Sequence, residues 1–312
     1  MHHIEGRHDQ NDPRSRLPEP PDPRSELLIM ILVTGASGTI GSEVLRQLMI
    51  EDVPVRALTR NPAKIARTNH TEVVQGDFTD PDSLATALAG VTAVFLVTVA
   101  SPPSADHDVA LIAAARRAGV ARVVKLSAIG TGETIDGEVV GHWHLQAEQA
   151  VHDSGLDWTV LRPSSFASNV LAWLPTIEAG QPIPNPTGTA RVGVIDPRDV
   201  AAVAVHALTR SGHGGQTYTL TGPELLSVPE QVAQLGEILD RTITTVDQPL
   251  AATRRQLTAF GMDNESADAM LRGISWARTG GNAQLTETVA EILGRAPQSF
   301  SDWASRTLQP GS

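Results

Sequence analysis

Two rhythms of apolar and polar positions alternate along this chain. Short apolar runs at Leu28 to Val33, Val53 to Leu58, Thr71 to Gln75, Ala93 to Val99, Arg122 to Ser127 and Trp158 to Leu161 predict six strands. Longer stretches between them carry apolar residues three or four apart, the spacing of one helix face. One begins with Glu43, Leu45, Leu48 and Met49. Another runs from Asp106 to Ala118 and stops at Gly119, and a third from His142 to Ser154 stops at Gly155. Asp80-Pro81-Asp82-Ser83 starts a short helix, with Asp80 as N-cap and Pro81 at the first helical position. Near-continuous apolar strands separated by helices predict a parallel sheet covered on both faces.

The pattern loosens after Pro163. Pro175, Pro182, Pro184 and Pro186 interrupt the segment up to Gly188. Val192 to Ile195 and Gln216 to Leu220 predict two more strands, with a helix from Pro197 to Thr209 between them. From Ser227 onward the chain is mainly helical, over Pro229 to Leu239, Leu250 to Phe260, Asn264 to Leu271 and Thr286 to Leu293. The expected architecture is α/β, a doubly wound parallel sheet of the Rossmann kind. That domain spans residues 27–165 plus about 190–222. A smaller, mainly helical C-terminal portion, residues 166–189 plus 223–312, is expected to bind substrate.

The first strand runs into Val33-Thr34-Gly35-Ala36-Ser37-Gly38-Thr39-Ile40-Gly41, a glycine-rich turn that opens a helix. Such glycines let the backbone turn sharply and approach a pyrophosphate, which rests on the helix N-terminus. The spacing is GxxGxxG, and its context of strand before and helix after points to a dinucleotide. In such folds an acid ending the second strand binds the ribose 2′-hydroxyl, whereas an arginine accommodates a 2′-phosphate. This strand ends Leu58-Thr59-Arg60, with Lys64 and Arg67 beyond, and no acid stands between Asp52 and Glu72. NADP(H) is therefore expected over NAD(H), unless Arg60 is only a solvated surface charge. Asp77 follows the third strand at the depth where its carboxylate would accept from an adenine amino group, with Phe78 over the ring; a turn role explains Gly76-Asp77 as well.

Composition narrows the picture. The chain has 312 residues, 41% hydrophobic and 19% charged, and contains no uninterrupted apolar run of membrane-spanning length. It has no cysteine, so disulfides, thiolate metal sites and a cysteine nucleophile are excluded; a reducing cytoplasm is the expected location. A net charge of -11 disfavours a nucleic-acid partner. Residues 1 to 26 contain Ile4-Glu5-Gly6-Arg7, a protease site common in expression vectors, followed by a Pro, Asp and Arg-rich stretch. They are expected to be tag and disordered leader, which removes His2, His3 and His8 from consideration.

The chemistry is defined by an absence. A conventional short-chain dehydrogenase uses a Tyr four residues before a Lys, which lowers the Tyr pKa for proton transfer. The only tyrosine is Tyr218, on a predicted strand, and the helix that would carry the pair reads Val139-Val140-Gly141-His142-Trp143-His144-Leu145-Gln146-Ala147-Glu148. His144 is a candidate proton source near neutral pH, or a partly buried helix histidine with a backbone partner. Ser127 ends the fifth strand, where a hydroxyl faces the nicotinamide end of the crevice or caps the strand. No HExxH or GxSxG is present, so neither a metal site nor a serine hydrolase is expected.

With Arg60-Asn61-Pro62, Gly76-Asp77, Ser127-Ala128-Ile129-Gly130, Gly155 to Pro163 and Asp196-Pro197-Arg198-Asp199-Val200, the chain resembles the NmrA-like group of atypical short-chain dehydrogenase/reductases over Met30 to Trp303. The resemblance implies that Gly35, Ser37, Gly38, Thr39 and Ile40 hold the pyrophosphate and Arg60 the 2′-phosphate. Asp77 and Phe78 would flank adenine, and Val97, Thr98 and Val99 the ribose. Ser127, Ala128, Pro163, Ser164, Ser165 and Phe166 would border the nicotinamide. His144 would take the place of the usual Lys, Val140 that of the Tyr, and Glu148 that of the group's helix Glu. Members reduce quinones or aromatic, polyketide-like ketones with NADPH, or sense NADP(H) without turnover. The apolar stretch Phe166, Val170, Leu171, Trp173 and Leu174 suits a pocket for a flat hydrophobic aromatic substrate, or else packs the helical portion. The expected partner is that small molecule, with no membrane, on a monomer or homodimer.

Overall fold

A computed structural model describes residues 30–65 and 71–309. The expected leader, Arg67 and the first two positions of the first expected strand lie outside the described residues. Seven strands form the main sheet: β1 (Ile31–Val33), β2 (Val55–Thr59), β3 (Thr71–Gln75), β4 (Ala93–Leu96), β5 (Arg122–Leu126), β6 (Asp157–Pro163) and β7 (Gln216–Leu220). Their order is 7-6-5-4-1-2-3, and every neighbouring pair is parallel. The order reverses between β1 and β4, the point at which open α/β sheets bind ligands beyond the strand carboxyl ends.

β1 shows how three residues specify a two-faced sheet. All are fully buried, and their side chains alternate between two cores. Ile31 and Val33 join the core under α1 (Thr39–Ile50). Leu32 joins the opposite core under α2 (Pro81–Leu88), α3 (Asp106–Ala118) and α4 (His142–His152). After β6 come α5 (Leu174–Glu178) and α6 (Pro197–Thr209), and α6 packs beside α1. Asp80 and Asp196 cap α2 and α6 by accepting backbone N–H groups, each ahead of a proline that needs no such partner.

The remaining chain builds α7 (Val228–Leu239), α8 (Leu250–Ala259), α9 (Asn264–Arg278), α10 (Thr288–Leu293) and α11 (Phe300–Leu308). A third core gathers Val170, Ile177, Ile183, Leu235, Phe300 and Trp303, separate from the two that sandwich the sheet. Ser227 and Glu230 start α7 with a reciprocal capping box.

Several expected elements differ. β4 ends at Leu96 rather than Val99, because the Thr34 hydroxyl takes the Val97 N–H at 2.8 Å and turns the chain out of the ladder. The strand expected over Val192 to Ile195 is only Val192–Gly193, paired antiparallel with Leu225–Leu226 and outside the main sheet. α9 runs beyond Leu271 to Arg278. Ile183–Asn185 pairs in parallel with Thr245–Asp247, a ribbon absent from the sequence reading. Among the described residues no helix is long and apolar enough to cross a membrane.

Candidate active site

Three glycines after β1 do three different jobs. Gly35 has φ +57°, and a Cβ there would lie 2.6 Å from Val97 Cγ1. Thr34 holds that neighbour in place, because its hydroxyl also donates to the Val97 carbonyl at 2.8 Å. At Gly41 a Cβ would sit 2.2 Å from the Gly35 carbonyl oxygen, so α1 packs against the turn only without a side chain there. Gly38 is the N-cap, with no side chain to satisfy the first-turn N–H groups and no acid in that turn. Those donors, which no earlier residue of the helix can pair, remain for an anion.

This turn forms one wall of a cavity of about 630 Å³. Lining it are Gly35, Ser37, Gly38, Thr39, Ile40, Arg60, Asp77, Phe78, Val97, Thr98, Val99, Ser127, Ala128, His144, Pro163, Ser164, Ser165 and Phe166. Of the apolar stretch expected to line the substrate pocket only Phe166 does so: Val170, Trp173 and Leu174 pack into the third core, and Leu171 is off the cavity wall. Tyr218 is elsewhere, its hydroxyl 3.0 Å from His213 Nδ1. The structure adds His107, Asn169, Leu58, Thr59 and Gly76 to the lining. His107 stacks on Phe78 with ring centroids 5.2 Å apart. Its signal in the sequence was its position in the first turn of α3, one helix beyond the β4 end.

At the β2 end Arg60 is exposed and borders a second hollow with Gln75, Gly76, Asp77, Asp80 and Ser83. Asp77 Oδ1 accepts the Thr79 N–H at 2.9 Å and the Thr79 hydroxyl at 2.7 Å, so the turn role is real. Those two bonds, with the Arg60 charge, hold its carboxyl below the usual range. The arginine's guanidinium and the uncapped helix fit the phosphates of a dinucleotide.

The opposite end rests on two buried charge pairs. Glu148, 1% exposed, receives Arg162 through both oxygens, at 2.9 and 2.5 Å, and the Ser127 hydroxyl at 2.5 Å. Lys125 Nζ lies 3.0 Å from Asp108 Oδ1, both nearly inaccessible, and Asp108 Oδ2 accepts the Thr98 hydroxyl. His144 is half-buried; its Nδ1 is enclosed without a hydrogen-bond partner among the described residues. Burial, then the Lys125 and Arg162 charges, push its pKa down to about 3. The imidazole is neutral at neutral pH. What His144 offers the cavity in that state is a ring N–H.

A doubly wound sheet with an uncapped glycine turn at its switch point defines a dinucleotide-binding protein. Residues 35–211 match the NAD(P)H-binding family, and the chain belongs to it. It is 42% identical over 277 residues to a (4-alkanoyl-5-oxo-2,5-dihydrofuran-3-yl)methyl phosphate reductase of Streptomyces griseus, covering 88% of this chain and 97% of the relative. It is 38% identical over 278 residues to an NAD(P)H azoreductase of Xenophilus azovorans, with 88% and 96% covered. A similar solved structure is an NADPH-dependent quinone oxidoreductase of Escherichia coli complexed with NADPH, at TM-score 0.78 and 25% identity over 90% of this chain and all of that one. The protein is an NAD(P)H-dependent reductase of the atypical, NmrA-like short-chain type.

Proposed function

We propose that this protein reduces quinones or flat aromatic, polyketide-like ketones with NADPH, by hydride transfer without a Tyr/Lys pair. The observation that carries the reading is one continuous cavity that joins the uncapped α1 N-terminus and Arg60 to Ser127 and His144, with neither Tyr nor Lys on its wall. Along that cavity Gly35, Ser37, Gly38, Thr39 and Ile40 hold the pyrophosphate, and Arg60 the 2′-phosphate. Asp77 and Phe78 flank adenine, and Val97, Thr98 and Val99 the ribose. Ser127, Ala128 and Pro163 to Phe166 border the nicotinamide, which when bound supplies a hydride. Ser127 orients the ligand through its hydroxyl oxygen, while Leu126, Pro163 and Phe166 keep water from that end. Residues 166–189 and 223–312, with their own core, form the substrate side of the same cleft.

The names of the relatives, an NADPH-dependent quinone oxidoreductase, an NAD(P)H azoreductase and a furanone phosphate reductase, share reduction of a conjugated acceptor, which supports the reading. The test is a panel of naphthoquinones and anthraquinone-type ketones with NADPH, followed by loss of reduced-cofactor absorbance. Turnover of a quinone is the expected result. Tight NADPH binding with no turnover of any acceptor would instead identify a nucleotide sensor.

A further inference from the structure

Three hydroxyls around the inner end of the cavity, those of Ser127, Ser164 and Thr98, have already committed their protons. Ser127 Oγ donates to Glu148 Oε1 at 2.5 Å, Ser164 Oγ to Asn282 Oδ1 at 2.8 Å, and Thr98 Oγ1 to Asp108 Oδ2. The acceptors for Ser127 and Thr98 are carboxylates in ion pairs with Arg162 and Lys125, so they have no proton to return. Thr131, whose Oγ1 is 3.3 Å from Ser127 Oγ, gives its own proton to the Ala128 carbonyl at 2.8 Å. Toward the cavity Ser127 therefore presents lone pairs only. A hydroxyl standing at a strand end beside the nicotinamide is held as an acceptor.

We propose that Glu148 is a positioning residue that makes Ser127 accept an N–H or O–H from the nicotinamide-riboside end of the bound cofactor instead of protonating the product, and that the site consequently selects acceptors reduced to weakly basic anions, quinones above simple ketones. This rests on the reductase reading and names its substrate class. A quinone that gains a hydride, two electrons and one hydrogen from NADPH, becomes a hydroquinone monoanion. Aromatisation stabilises that charge, the electron pair of the carbonyl bond resides on oxygen, and water delivers the remaining proton. A simple ketone would give an alkoxide, whose much greater basicity demands an acidic donor at hand; Ser127 is not one, and the ring N–H of a neutral His144 and the hydroxyl of Ser165, which accepts from Asn169, are far weaker acids than a lysine-activated tyrosine.

The test is a binding cycle with a kinetic companion. NADPH dissociation constants are measured by cofactor fluorescence for the wild type, Ser127→Ala, Glu148→Gln and the double variant. Ser127→Ala is expected to weaken binding about fivefold, the range for one lost hydrogen bond. Glu148→Gln is expected to weaken binding as well, and to add nothing in the Ser127→Ala background, because it acts through that hydroxyl. Fully additive losses would show a general structural role and overturn the proposal. In the companion measurement, the kcat of Ser127→Ala relative to wild type is followed over quinones whose hydroquinones grow more basic. A constant ratio supports the proposal, and a loss that steepens with product basicity makes Ser127 the acid and overturns it; this arm stands even where Glu148→Gln fails to fold. A wild type that binds NADPH but reduces no quinone sinks the reductase reading, while the binding cycle still decides whether Glu148 orients Ser127.

Discussion

His144 stays neutral because every contribution to its charging has the same sign: burial, the Lys125 ammonium and the Arg162 guanidinium all oppose a proton. In the unfolded chain a histidine takes up its proton near pH 6.5, and in the fold only near 3. Below 6.5 the unfolded state thus binds more protons, and stability is lost as pH falls, by at most about 1.4 kcal/mol per unit. Urea unfolding at pH 7 and pH 5 should show the wild type losing up to about 2 kcal/mol more than His144→Gln. Equal losses in the two proteins would mean that the ring is protonated in the fold. Ser127 was legible as a cavity-facing residue because a strand end at a switch point faces the ligand whatever lies behind it, whereas Thr98 came only from the family resemblance. Their orientation was not legible. It depends on two separate pairs, Glu148 with Arg162 and Asp108 with Lys125, which form only once α4 meets β6 and α3 meets β5. Lys125 in the apolar run Val123-Val124-Lys125-Leu126 was the one trace, since a lysine in a fully buried strand needs a counter-charge.

The elements were legible where the chain punctuates itself. α3 and α6 have the expected bounds, because Gly119 ends one in the left-handed conformation and Asp196-Pro197 opens the other. α9 was cut short in the sequence reading at Leu271, before Gly273; it continues because Trp276 and Ala277 are buried beyond that glycine. The ribbon of Ile183–Asn185 with Thr245–Asp247 was hidden because Pro182 and Pro184 argue against a strand and its partner is distant in sequence. The β2 end is the element boundary with the clearest consequence. Just beyond it stands the exposed Arg60, the residue proposed to select the cofactor by its charge. Arg60→Ala should raise the NADPH dissociation constant about tenfold, as expected for a lost charge-assisted hydrogen bond. The value for NADH should stay within about twofold, there being no 2′-phosphate to lose. Because Arg60 is exposed, the NADPH penalty should shrink at high salt. Equal weakening of both cofactors in fluorescence titrations would remove Arg60 from 2′-phosphate recognition.

Across the whole molecule, the helical C-terminal portion is fastened to the three strand-end loops that enclose the inner cavity. Beyond β4, the Ser101 hydroxyl bonds the Asp263 carboxylate at the α9 N-cap, and the Ser101 and Ser266 hydroxyls hold that carboxyl down to about 2. After β5, Gly130 lies so close under Trp276 that a Cβ would be 2.7 Å from the indole. After β6, Ser164 bonds Asn282. Only the first fastening is exposed, and large apolar side chains lie near both its ends in sequence: Val99, 88% exposed on the cavity wall, and Phe260, 82% exposed after α8. Of the two, Val99 stands on the cavity wall, where a flat hydrophobic ligand would cover it on binding. The Ser101 tether fixes the loop that carries Val99, without touching the phosphate end of the cleft. Ser101→Ala keeps the α9 cap, since Asp263 still accepts the Ser266 N–H. It should raise the quinone KM about threefold to fivefold, the worth of one exposed hydrogen bond, while the NADPH dissociation constant stays within about twofold, consistent with additivity between distant sites. Steady-state kinetics beside cofactor titration separate the two effects. An unchanged KM with weakened NADPH binding would assign the loop after β4 to the cofactor alone and leave the helical portion without a part in gripping the acceptor.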